Sequence, residues 1–160
     1  MQHPRSELAP RRRGSMDPLL KFLITMGGVN DNDMYHHMNN SVYNFLIDSI
    51  VNDYLLKFCG LDPSKSEQHP LAAHLHTDFF ASLAYPAVAE LALRVNKLGK
   101  SSVTYEVGVF EKGVDGVKAV GEFVHVFVER ATARPAKTGM NDQLREGLQK
   151  IYVGVESSKL

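Results

Sequence analysis

Tryptophan is absent and cysteine occurs once, at Cys59. A single cysteine excludes an internal disulfide framework, so the core must hold by packing alone, as in proteins of reducing compartments. Charge of neither sign is in excess: 18 lysines and arginines offset 18 aspartates and glutamates. That balance argues against a dedicated nucleic-acid binder, which recruits phosphates with a positive field. No apolar run approaches the roughly 20 residues of a membrane helix, so membrane insertion is not expected. Phosphate loops, dinucleotide fingerprints and zinc knuckles are missing too. What is present is 160 residues, 44% apolar and 22% charged, the make-up of one ordinary globular domain with a real core.

Residues 1–16 stand apart. Arg5, Arg11, Arg12 and Arg13 against Glu7 give this head +3, leaving −3 for the rest. Pro4 and Pro10 work against the amphipathic helix of a mitochondrial presequence, and Gly14-Ser15-Met16 looks like added residues before a start methionine. The expected layout is a disordered basic head over 1–16 (arm, presequence or vector-encoded), a folded domain over 17–153, and a disordered tail over 154–160. Cytoplasmic residence is expected, with the mitochondrion as the alternative a presequence would imply.

In the folded part, Leu19–Met26 is a short apolar run that fits a strand or a helical turn. A polar, turn-rich stretch, VNDNDMYHHMNN, follows Gly27-Gly28. Residues 41–59 read as a helix, capped by Asn39, Asn40 or Ser41 and ended at Gly60. Eleven of the seventeen positions from Val42 to Phe58 are apolar, with Asn44, Asp48 and Asn52 forming a narrow wet stripe. Such a helix has to be enclosed by other structure. After Pro70 the period changes to two, and strands are expected over 71–80, 88–98, 102–110 and 117–130. Val103, Tyr105, Val107 and Val109 alternate with small or polar residues, whereas 123–128 is apolar on both faces, which suits an interior strand. Short turns at Gly99-Lys100 and 112–116 force antiparallel neighbours. A terminal helix is expected over 141–152. One long apolar helix followed by four strands in a meander predicts an α+β fold, an antiparallel sheet curled around the helix.

The segment Asp31-Asn-Asp33-Met-Tyr-His-His37-Met-Asn39-Asn40, with Tyr43 and Asp48 on the helix, resembles the motif of the hotdog-fold acyl-CoA thioesterases, in the 4-hydroxybenzoyl-CoA thioesterase-like branch. Leu98-Gly-Lys-Ser-Ser102, Val126-Phe-Val-Glu-Arg130 and Arg134-Pro135 extend the likeness over roughly residues 20–152. Two features depart from the family pattern: His36 occupies the place of the usual glycine, and an aromatic residue is missing just ahead of the first aspartate.

Hydrolysis of a thioester needs an oxygen nucleophile or base near the carbonyl and donors for the oxyanion. A thiol leaves readily, with a pKa near roughly 8.5, so a strong general acid is not obligatory. On pattern alone Asp33 reads first as a turn-former in an Asx-rich loop. The resemblance makes it the catalytic carboxylate, as nucleophile or as general base on water. Asn39, Asn40 and Ser41 bring the amides of the helix N-terminus, with Asn40 serving as cap, substrate contact or both. His37 either orients the carboxylate, polarises the thioester or is a surface residue. Tyr43 reads as packing or substrate contact, and Asp48 as a buried hydrogen-bond partner. For the phosphates of coenzyme A the family pattern implies Lys100 and Arg130, with Ser101 and Ser102 as donors.

His74, His76 and Asp78 share one strand face but lack a fourth metal ligand, so no metal site is expected. Cys59 lies in an apolar helix end and does not suit a catalytic thiol. The expectation is a homo-oligomeric acyl-CoA hydrolase, a dimer or tetramer, with no cofactor beyond the coenzyme A of its substrate. A dehydratase or isomerase on the same fold, and a non-catalytic acyl-CoA-binding protein, are the alternatives.

Overall fold

A computed structural model describes residues 20–25 and 29–154, with side chains described from Asn30 onward. The expected basic head, and all of the expected tail except Gly154, lie outside the described residues. The chain runs β1 (Leu20–Thr25), a 3-10 turn (Val29–Asp31), α1 (Asn40–Phe58), β2 (Gln68–Phe79), β3 (Val88–Leu98), β4 (Ser102–Glu111), β5 (Val117–Glu129) and α2 (Asp142–Gln149). Of the run at 19–26, the described residues Leu20–Thr25 form a strand.

All five strands are antiparallel, in the order β1-β3-β4-β5-β2. Alternation dictates which face is covered. Val103, Tyr105, Val107 and Val109 on β4, and Phe123 and Phe127 on β5, are buried beneath α1. The helix answers with Tyr43, Leu46, Ile47, Ile50, Val51, Tyr54 and Leu55, each apolar side chain contributing roughly 1.5–3 kcal/mol when fully buried. Gly121 lets the helix settle on the sheet, since a Cβ there would collide with Ile47. Asn39 caps α1, and its far end is closed by Gly60 in the left-handed region (φ +65°), with the Leu61 N–H returning to the Leu55 carbonyl.

The meander expected from the strand succession is corrected by the order. The turns at 99–101 and 112–116 do join neighbours, but β2 and β3 are not adjacent. Residues 80–87 are long enough to cross the end of the sheet, so β2 pairs with β5 at the far edge while β1 takes the other side of β3. β5 is consequently interior, as its two apolar faces require. The twelve-residue β2 is an open edge, with Leu71, Leu75 and Phe79 each more than a third exposed. The side of α1 away from the sheet carries Phe45 and Leu56, both exposed in the single chain, while Phe58 stacks on Tyr54 at the end of the helix. Asp48, expected to be buried, lies on this side and accepts a hydrogen bond from Asn52 Nδ2 at 3.0 Å. Its place in the wet stripe keeps it in water.

Candidate active site

The Asx-rich stretch before α1 folds back on itself because its side chains bond its own backbone. Asp33 Oδ1 accepts the N–H of Tyr35 at 2.8 Å and of His37 at 3.2 Å. The Asp33 N–H donates to the His37 carbonyl at 2.7 Å, and Asn32 bridges Met38. This tight loop forces His36 to φ +61°. A non-glycine residue there costs about 1 kcal/mol, which explains why glycine is usual at this point of the motif. The loop fixes one Asp33 oxygen, and Oδ2 has no hydrogen-bond partner among the described residues.

Most of the backbone amides at the mouth of α1 are occupied. Asn39 N–H donates to the Asp31 carbonyl, Val42 N–H to the Asn39 carbonyl, and Ser41 N–H to Asn39 Oδ1 at 3.0 Å. The Ser41 hydroxyl donates to the same Oδ1 at 2.9 Å. The Asn40 N–H alone among these four has no acceptor among the described residues, and it sits where the helix dipole favours negative charge. Asn39 and Ser41 thus form the cap, and Asn40 is left as the open donor.

Asp33, His37, Asn40 and Tyr43 line one cleft of about 300 Å³ together with Met38, Phe79, Phe80, Ala81 and Ser82. His36 is not part of its lining. The last four of these residues come from the end of β2 and the crossover that follows it. Sequence reasoning missed them because it placed β2 beside β3. The signal was the apolar pair Phe79-Phe80 beside Ala81-Ser82 where the strand pattern stops. Tyr43 is buried, its ring meets Phe79 edge-on at 5.1 Å, and its hydroxyl accepts the Leu83 N–H at 3.3 Å. Burial raises the Tyr43 pKa, partly offset by that hydrogen bond. The phenol is therefore neutral and already engaged.

Lys100, Ser101, Ser102 and Arg130 gather at the opposite end of the sheet. Ser102 is level with Val126 and Leu71, whereas Phe79 is level with Ala119. Seven residues of β5, from Ala119 to Val126, at roughly 3.3 Å each separate the two levels by about 23 Å. The turn at Lys100 is held from behind, its carbonyl accepting from Met140 N–H and Arg145 Nη2. Arg130 donates to the carbonyls of Ser66 (2.8 Å) and Pro63 (2.7 Å), bracing the loop before β2.

The other titratable groups lie elsewhere. His76 meets Asp78 at 3.0 Å and His74 meets Glu122 at 3.8 Å on the outer face of β2 and β5. Among the described residues no three His, Cys, Asp or Glu side chains are placed to hold a metal ion. Cys59 is buried, with its thiol pushed up to about 12 chiefly by desolvation. His125 faces the core among Tyr105, Phe123 and Phe127. Burial pushes it down to about 4. Among the described residues no helix is long and apolar enough to cross a membrane.

The family model described as the thioesterase superfamily matches residues 35–117, from just after Asp33 to the start of β5. The chain is similar to the PA5185 protein from Pseudomonas aeruginosa, at 37% identity over 89% of this chain and 97% of that one, with a TM-score of 0.78. It also resembles Slr0204, a 1,4-dihydroxy-2-naphthoyl-CoA thioesterase from Synechocystis, at 11% identity over 83% and 97% of the two chains and a TM-score of 0.73. A Thermus thermophilus thioesterase complexed with coenzyme A and Zn matches at 22% identity over 84% and 93%, with a TM-score of 0.68. Among curated proteins no significant match was found.

Proposed function

Because the chain belongs to the thioesterase superfamily and is a thioester hydrolase of the hotdog fold, we propose that it hydrolyses acyl-CoA with Asp33 as the reacting carboxylate. The observation that supports this most is the shared cleft of Asp33 and the open Asn40 amide. The thioester carbonyl oxygen takes the Asn40 N–H, with the helix dipole behind it, as negative charge develops. Asp33 either removes a proton from water, which then adds to the carbonyl carbon, or attacks that carbon itself through Oδ2 to give a mixed anhydride that water opens. In both routes the C–S bond breaks and coenzyme A leaves as a thiolate, so the reading requires no metal or redox cofactor. His37, whose amide helps hold Asp33, also lines the cleft.

The nucleotide end of the substrate needs cations, and the candidates Lys100, Ser101, Ser102 and Arg130 stand about 23 Å from the cleft along the sheet in the same protomer. A second copy removes the mismatch. If the open β2 edges pair antiparallel about a twofold axis, the Lys100 end of one protomer falls beside the Asp33 end of the other. We therefore read the enzyme as at least a homodimer with composite sites, Lys100 and the serines receiving phosphates and Arg130 bracing their frame. The single reduced, buried Cys59 suits a cytoplasmic enzyme, with the mitochondrial matrix as the alternative compartment.

A thiol-release assay over aliphatic and aromatic acyl-CoAs, run with an acyl-pantetheine control, tests the reading. Hydrolysis of at least one acyl-CoA, with KM raised in Lys100→Ala for acyl-CoA but not for the control, is the expected result. Binding without thiol release, or turnover only of an enoyl or hydroxyacyl thioester without loss of coenzyme A, would replace it.

A further inference from the structure

The segment that closes the cleft opposite Asp33 is pinned at both ends. Phe80 and Ala81 N–H both donate to the Lys118 carbonyl on β5, at 2.9 and 3.1 Å. Beyond Ser82, Leu83 is fully buried and bonded twice: its N–H to the Tyr43 hydroxyl at 3.3 Å, and its carbonyl to the Met38 N–H at 2.7 Å. Tyr85 N–H then donates to Asn32 Oδ1 at 3.2 Å. Ala81 and Ser82 thus span from the sheet to a knot that joins the helix, the Asp33 loop and the crossover. Every other bond in the knot uses backbone or lies at its exposed rim. Among the described residues the Tyr43 hydroxyl is the one buried side-chain group that hydrogen-bonds the crossover to α1, a single turn from the Asn40 amide.

We propose that Tyr43 is a positioning residue: its hydroxyl holds the Leu83 amide, and so sets the Phe80–Ser82 wall against which the acyl group is aligned toward Asp33. This rests on the acyl-thioester reading of the cleft. The hydroxyl oxygen accepts the Leu83 N–H, so the role assigned to it is exercised through the wall. Removing it strands a buried amide, loosens the wall, and relaxes the alignment of the reacting carbonyl, where displacements of about 1 Å can lower rates by about 100-fold.

Tyr43→Phe keeps the ring against Phe79 and deletes only the oxygen. With the folded fraction matched by circular dichroism, kcat on the best acyl-CoA should fall about 10- to 100-fold, with KM within about threefold. Preference between that substrate and one two carbons longer should narrow, and the Leu83 amide should exchange its hydrogen at least about 10-fold faster. Loss of folding cooperativity in Tyr43→Phe is met by Asn32→Ala, which frees the Tyr85 end of the same segment and should reproduce the kcat and selectivity changes. A rise in KM at constant kcat would make Tyr43 a substrate contact and overturn the proposal, as would wild-type kcat and selectivity in both variants. If wild-type protein released no thiol from any acyl-CoA, the hydrolase reading would fail instead, and the two failures are thereby distinguished.

Discussion

His125 makes the folded state sensitive to mild acid, by an amount that follows from its surroundings. The side chain is 3% exposed on β5, with ring centroids of Phe123 at 4.4 Å, Tyr105 at 5.5 Å and Phe127 at 6.4 Å, and Nδ1 has no hydrogen-bond partner. Desolvation lowers its pKa from 6.5 to about 4. In the unfolded chain the ring takes up a proton near 6.5; in the folded chain it resists until about 4. Its contribution is therefore complete above pH 6.5 and is lost as pH falls through 6.5 toward 4. At about 1.4 kcal/mol per unit, the loss is about 1.4 kcal/mol at pH 5.5 and about 3 kcal/mol at pH 4. Carboxylates also titrate in this window, so the quantity to measure is a difference. Urea unfolding of wild type and His125→Phe, at one protomer concentration, should give curves that diverge by those amounts as pH drops. At pH 7.5 the variant should lie within about 1 kcal/mol of wild type, because removing an unsatisfied buried nitrogen offsets the strain of repacking. Parallel curves from pH 7.5 to 4 would refute the reasoning.

Two further expectations concern the contact between the helices. Cys59 is buried with its thiol near pKa 12, so a disulfide reagent should label native protein at least about 1,000-fold more slowly than denatured protein, and equal rates would contradict its burial. Gly147 lies in α2, where alanine would ordinarily gain about 1 kcal/mol of helix propensity. A Cβ there would stand 2.6 Å from Cys59 Sγ and 2.7 Å from the Phe58 carbonyl oxygen. Gly147→Ala should thus lose about 1–3 kcal/mol of stability despite the propensity gain, and a raised Tm would show that the two helices can separate without penalty.

Local chemistry made most of the elements readable. The alternation of Val103 to Val109, the apolar length from Val42 to Phe58, the Asn39 cap and the glycine at 60 each depend on near neighbours in the chain. The place of β2 depends on a partner some fifty residues away. In its sequence, LAAHLHTDFF, nothing names β5 over β3, so Phe79–Ser82 were not assigned to the cleft. Asp33, His37, Asn40 and Tyr43 were legible as a group because one short loop and the first helical turn carry them all. The division of labour among them was not. Only the geometry distinguishes Asn40, whose amide is open, from Asn39 and Ser41, whose groups cap the helix. Arg130 illustrates the same limit: its guanidinium reaches the carbonyls of Ser66 and Pro63, more than sixty residues away in the chain, so nothing near it in sequence shows that it braces that loop.

The proposed reaction brings the carboxylate at position 33 to a thioester held at the helix mouth. Purified Asp33→Asn, an isosteric change that retains an oxygen for the Tyr35 and His37 amides, should be assayed for thiol release beside wild type, on the acyl-CoA wild type turns over fastest. At least about a 100-fold fall in kcat with acyl-CoA binding unchanged is expected; turnover within a few-fold of wild type would remove Asp33 from the reaction.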